Sequence, residues 1–182
     1  MFKSRKVIAL AVLMVVMSFV VMGAAYAEKS YYYNYTNKDY GFSIGLPNNW
    51  ERKNVNEVIP IMAICPPEGQ NDDFQESISV AIDKNIGGMD LKTYLNESIK
   101  SMKTGLKGFK NVKTGSIKLG NSDSMWLIYT HKADTGLEIK AVAYFLVKNH
   151  RGYVITCSTT TKEFMNNMTL FEEISKTFKF TK

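Results

Sequence analysis

Cysteine, histidine and proline are scarce in this chain: two, two and four among 182 residues. Two cysteines cannot build the multi-bridge framework of a small secreted scaffold. Four Pro and 12 Gly exclude collagen-like and low-complexity chains. A histidine-based metal site needs several converging ligands, and neither His131 nor His150 has a Cys or a second His nearby in sequence. No Gly-x-Ser-x-Gly string and no phosphate-binding glycine loop is present. Only one apolar run is long, Val7–Met22, interrupted at Ser18. What remains is 45% hydrophobic and 22% charged, the balance of a globular protein.

The long apolar run belongs to a secretory layout over residues 1–27. Lys3, Arg5 and Lys6 precede it, and Ala25-Tyr26-Ala27 follows with small residues where a signal peptidase reads them. The alternative is an uncleaved membrane anchor. The run falls slightly short of the ~20 residues a spanning helix needs, and Ala-x-Ala favours removal. Export to the periplasm, cell envelope or exterior is therefore expected. The mature chain begins at Glu28 and carries 20 Lys and Arg against 17 Asp and Glu. Residues 28–39, with Tyr31, Tyr32, Tyr33 and Tyr35, read as a leader, and residues 40–182 as a single domain.

Within that domain, Phe42, Ile44 and Leu46 alternate on one face of a strand. Pro47-Asn48-Asn49 supplies a turn, and Trp50 begins a return strand. Val58–Cys65 is a continuous apolar strand candidate, and Glu76–Lys84 alternates through Ile78, Val80 and Ile82. Asp90 is an N-cap candidate, followed by Leu91, Tyr94, Leu95, Ile99, Met102 and Leu106 at helical spacing. Four strands joined by tight turns come next: Val112–Leu119, Ser124–Lys132, Leu137–Lys148 and Tyr153–Thr159. Such turns predict an antiparallel meander. The third strand is apolar on both faces, which predicts cover on both sides. Thr160-Thr161-Lys162-Glu163 reads as a capping box before a closing helix with Phe164, Met168, Phe171, Ile174 and Phe178 on one face.

The string Tyr40-Gly41-Phe42-Ser43-Ile44-Gly45-Leu46-Pro47-Asn48-Asn49-Trp50 resembles the opening hairpin of PsbP-like domains, and Tyr153–Ser158 leading into Phe164–Phe178 is similar to their ending. The resemblance covers Tyr40 to Phe180. It implies an α+β fold, an antiparallel β-sheet flanked by helices in an α/β/α sandwich. Proteins of this kind include a photosystem II subunit, binders of the GTPase Ran and DcrB-type proteins of the bacterial envelope. The shared motif is a packing signature. It transfers no site residue, and it implies a non-enzymatic accessory or binding role without a cofactor.

Charge is the uneven feature. Residues 92–118 hold Lys92, Lys100, Lys103, Lys107, Lys110, Lys113 and Lys118 against one acid, Glu97, a net +6. The rest of the chain after residue 27 is net −3. Such a stripe docks an anionic protein, envelope component or membrane surface, or is a solvated helix face. Nucleic acid is not expected for an exported chain without a basic-aromatic motif. Cys65 and Cys157 either pair as a disulfide or sit apart as small apolar residues. Glu68, Asp72, Asp73 and Glu76 form an acidic loop, read as solvated because it lacks the ligand pattern of a calcium loop. His131 and His150 are read as surface residues. Two rival functions stay open. One is a carrier of a small apolar ligand in a pocket of Met62, Met89, Met102, Met125, Met165 and Met168. The other is a hydrolase drawing on Ser122 or Ser124 with His131 and Asp134.

Overall fold

The computed structural model describes residues 32–70 and 72–181. The export signal read at residues 1–27 lies outside the described residues. Among the described residues, ten strands and two helices follow one another as β1 (Tyr32–Asn37), β2 (Phe42–Pro47), β3 (Glu51–Lys53), β4 (Ile61–Ile64), β5 (Ser77–Asp83), α1 (Leu91–Gly105), β6 (Lys110–Leu119), β7 (Ser122–Lys132), β8 (Glu138–Lys148), β9 (Arg151–Thr160), α2 (Phe164–Lys176) and β10 (Lys179–Phe180). A seven-stranded sheet runs β3-β4-β5-β9-β8-β7-β6, and a three-stranded sheet runs β1-β2-β10.

The meander predicted from the turns is present: β6 to β9 pair in sequence, all antiparallel. β5 then pairs with β9, Ile78 facing Cys157, so the chain returns past the meander's last strand. β8 is covered on both faces, as its double apolar pattern predicts. Ala141, Ala143 and Phe145 pack under α1 with Leu95 and Met102. Val142, Tyr144 and Leu146 pack on the other face with Phe164, Phe171 and Ile174 of α2 and Phe42, Ile44 and Leu46 of β2. The result is an α/β/α sandwich with a small sheet beside α2. Phe42 meets the Tyr153 ring of β9 edge-on at 6.3 Å between ring centres, and Tyr153 donates to the Tyr40 carbonyl at 2.8 Å. These contacts tie the two sheets together.

Four local expectations are corrected. Tyr32–Asn37 is no leader but a strand paired with β2 along its whole length. Trp50 closes a turn onto Pro47, yet β3 does not return along β2; it pairs with β4 in the large sheet. Val58–Pro60 stays outside the strand. Asn56 Oδ1 accepts the N–H groups of Val58 and Ile59, both at 2.8 Å, and Pro60 has none to donate. Finally, only half of the capping box forms. Thr160 Oγ1 accepts the Glu163 N–H at 3.2 Å, while the Glu163 carboxylate takes Asn166 Nδ2 at 2.7 Å.

Candidate functional site

The lysine stripe is built by α1. Asp90 caps its first turn, accepting the Thr93 N–H at 2.7 Å, and Gly108 at φ +66° turns the chain into β6. Tyr94, Leu95, Ser98 and Met102 are buried against the sheet, and α1 lies over β7 and β8. Tyr94 leans to one side, over Gly152 of β9. On a helical wheel, Lys92, Lys100 and Lys103 leave from the opposite flank, and Lys107 follows in the turn beyond the extended Leu106 cap. All four are exposed. Lys100 reaches Glu97 at 2.6 Å. Lys103 and Lys107 make no ion pair among the described residues.

The remaining lysines have a different origin. β6 ends the large sheet, and an unpaired strand edge invites aggregation unless charges or bulges blunt it. Lys110, Lys113 and Lys118 sit on that edge. The register shifts between Asn111 and Lys113, and Val112 is left 53% exposed at the bulge. Lys118 approaches Asp123 at 3.6 Å, and Lys113 Nζ lies 5.8 Å from the Trp126 ring centre. Lys132 escapes a reading that stops at residue 118. Its N–H donates to the Lys107 carbonyl at 2.7 Å, so the end of β7 adds a cation where α1 passes into β6.

An acidic cleft lies across the sheet from this corner. Its volume is about 520 Å³, and Glu68, Asp72, Asp73, Glu76, Lys162 and Glu163 are among its lining residues. Glu68 and Asp73 are exposed, as a solvated loop predicts, while Asp72 and Glu76 are held in place. Asp72 accepts the N–H groups of Glu68 and Phe74, and Cys65 N–H donates to the Glu76 carbonyl at 2.8 Å. Glu76 is only 6% exposed and accepts Thr159 Oγ1 at 2.7 Å. Desolvation holds its carboxyl above the usual range, with Glu68 and Asp72 adding to the rise. Cys65, Glu68 and Glu76 bring one donor atom each within 4.8 Å of one another, a set able to take a divalent cation. Sequence reading grouped the acids without the thiol. The missing signal was Pro66-Pro67, which ends β4 so that residues 65 and 76 become neighbours.

Cys65 and Cys157 do not pair. Both are free, and β5 lies between their strands, with Ile78 facing Ala63 on one side and Cys157 on the other. Two strand spacings are about 9–10 Å, beyond the ~7 Å limit between bridged Cα atoms. Cys157 is fully buried, its Sγ 3.8 Å from Ser175 Oγ. His150 is exposed in its turn, but His131 is not the surface residue expected. It is 7% exposed and stacks on Tyr129 at 6.0 Å, and desolvation lowers its pKa. The triad candidates are dispersed. Ser124 and His131 lie seven residues apart on β7, about 24 Å at 3.4 Å per residue, and on opposite faces of the sheet. The methionines do not gather around one pocket either. Met62, Met89, Met102 and Met125 lie on the α1 side, Met168 lies on the α2 side and Met165 is 74% exposed.

The DcrB family model matches residues 43–174. No curated protein matches the sequence. Among solved structures, LpqN of Mycobacterium tuberculosis, described as involved in cell envelope biogenesis, superposes with a TM-score of 0.63 at 16% identity, over 85% of this chain and 93% of its own. Cyanobacterial PsbP (CyanoP) of Synechocystis gives 0.61 at 12% identity, over 88% and 98%. The Ran-binding protein Mog1p of Saccharomyces cerevisiae gives 0.55 at 11%, over 84% and 96%. At these identities the likeness is one of fold.

Proposed function

The chain belongs to the DcrB family, and on that premise we propose that it is an exported, non-catalytic accessory protein of the cell envelope that docks an anionic partner on the lysine flank of α1. The observation that carries this reading is the segregation of charge. Residues 92–118 hold a net +6, and the fold gathers the helical lysines on one exposed flank instead of spreading them around the molecule. Lys103 and Lys107 are left without an intramolecular counter-charge among the described residues. A localised field of one sign attracts a partner of the other. The envelope setting is supported by the secretory layout at residues 1–27 and by the fold shared with LpqN.

The test is fractionation of native-host cells producing the wild type or a Lys100→Gln/Lys103→Gln/Lys107→Gln variant. The wild type should begin at Glu28 and sediment with the envelope at low salt. It should be released as salt rises, because exposed charges are screened over about 8–10 Å at ~0.1–0.15 M ionic strength. The variant should be free at low salt. Retention of the variant equal to the wild type would remove the lysine flank from the account.

A further inference from the structure

Resting on that docking reading, we infer that the anionic partner is a lipid bilayer surface, met by the corner where α1 passes into β6. Lys103 and Lys107 approach this corner from the α1 face of the sheet, Lys110 and Lys113, paired with Thr130 and Ile128, approach it from the α2 face along the β6 edge, and Lys132 ends β7 beside them. The Lys132 N–H to Lys107 carbonyl bond at 2.7 Å fixes the end of β7 against the end of the helix. Val112 stands among them, 53% exposed on the bulge of β6. The corner therefore offers cations around one apolar side chain, the composition that suits a headgroup layer with acyl chains beneath it.

The choice of cation favours lipid over protein. Residues 92–132 contain no arginine. Among the described residues, Arg52 lies 4.4 Å over the Tyr33 ring and Arg151 donates to the Asp39 carbonyl, both elsewhere on the molecule. Arginine and aromatic residues are enriched at protein interfaces and lysine is depleted there. Flexible ammonium groups need no fixed geometry from their partner, and a bilayer surface offers none. The acidic cleft does not cancel the attraction. Its rim reaches Leu137 ahead of β8, and Glu138 stands opposite Lys132, but the cluster Glu68, Asp72, Asp73 and Glu76 belongs to β5 and the loop before it, and four strand spacings separate β5 from β6, about 19 Å. That is twice the screening length at physiological salt. The separation also sets the orientation: the β6 side faces the membrane and the acidic side faces away.

The experiment is co-sedimentation of the protein recovered from its native host with vesicles of phosphatidylcholine alone or mixed with phosphatidylglycerol, at low and moderate salt. Binding is expected only with phosphatidylglycerol and should weaken with salt. A Lys near an anionic surface contributes roughly fivefold in affinity, so Lys103→Gln/Lys107→Gln/Lys110→Gln should lose about a hundredfold. Val112→Asp should also weaken binding. Lys38→Gln/Lys179→Gln, with both sites exposed on the small-sheet side, should bind as the wild type does. Equal binding to both vesicle types, an unchanged triple variant, or an equal loss in the Lys38/Lys179 control would overturn the inference. Absence of vesicle binding, with lysine-dependent envelope retention intact in the fractionation above, would overturn the lipid assignment alone and leave a protein or other polyanion as the partner.

Discussion

The ring of Tyr94 on α1 rests against the backbone of Gly152 on β9 so closely that a Cβ at 152 would overlap Cζ and Oη. This contact sets how α1 lies on the sheet, and so which flank turns to solvent. Tyr94 is 2% exposed, and its hydroxyl has no hydrogen-bond partner among the described residues. Gly152→Ala should destabilise by about 1–3 kcal/mol through overpacking. Tyr94→Phe should be neutral or stabilising, because it removes a buried donor that gains nothing from the fold. Denaturant unfolding of the two variants checks both signs. A stable Gly152→Ala protein would mean that the helix can shift, and with it the lysine flank.

Phe145 lies wholly buried beneath α1, its ring centre 5.9 Å from that of Tyr94. Phe145→Ala should cost about 3–5 kcal/mol. A loss under about 1 kcal/mol would contradict the assignment of odd-numbered β8 residues to the α1 face.

Glu76 gives the fold a pH dependence of definite sign. Burial, with help from Glu68 and Asp72, raises its pKa in the folded state. The folded protein therefore binds this proton more tightly than the unfolded chain does. The stability it contributes is fully present below the unfolded carboxyl pKa of about 4.3. It is lost as pH rises through the higher folded value. Glu76→Gln should raise the melting temperature at neutral pH and leave it unchanged near pH 4. A variant less stable than the wild type at neutral pH would mean that the ionised carboxylate is favoured in place.

The two thiols supply a chemical check. Burial and the neighbouring Glu76, Glu68 and Asp72 push the Cys65 thiol up to about 12, so little thiolate exists at neutral pH and alkylation of the native protein should be slow. Unfolding without reductant should expose both thiols, and intact mass should show two alkylated cysteines. Two unmodified cysteines would mean a disulfide. Glu76→Gln should accelerate the native reaction at Cys65 by removing the nearest carboxylate influence.

Much of this architecture was legible in the sequence because it rests on local patterns. The helical spacing from Leu91 to Leu106, the Asp90 cap and the tight turns of the meander each depend on neighbouring residues, and each is present in the structure. The two-faced pattern of β8 gave the layers, and the PsbP-like opening string gave the class. Three of the misreadings share one cause: they turn on pairing between segments distant in the chain. Tyr32–Asn37 looks like a leader because its burial comes only from β2. Trp50 suggests a hairpin, yet its strand joins a different sheet. Cys65 and Cys157 look like a redox pair until β5 is placed between them. Of the candidate site, the α1 lysines were legible as one flank of a helix. The contribution of Lys132 depends on its contact with Lys107, and the grouping of Cys65 with Glu76 depends on the fold of a loop.

The central claim, that the lysine flank is the docking surface, is tested most directly by amine footprinting in place. Native envelopes and the released protein are treated with the same acylating reagent, and modification is read lysine by lysine. The account predicts that Lys103, Lys107 and Lys110 are protected in the envelope and reactive after release, while Lys38, Lys162 and Lys179 react equally in both states. Equal reactivity of all six in both states would contradict it.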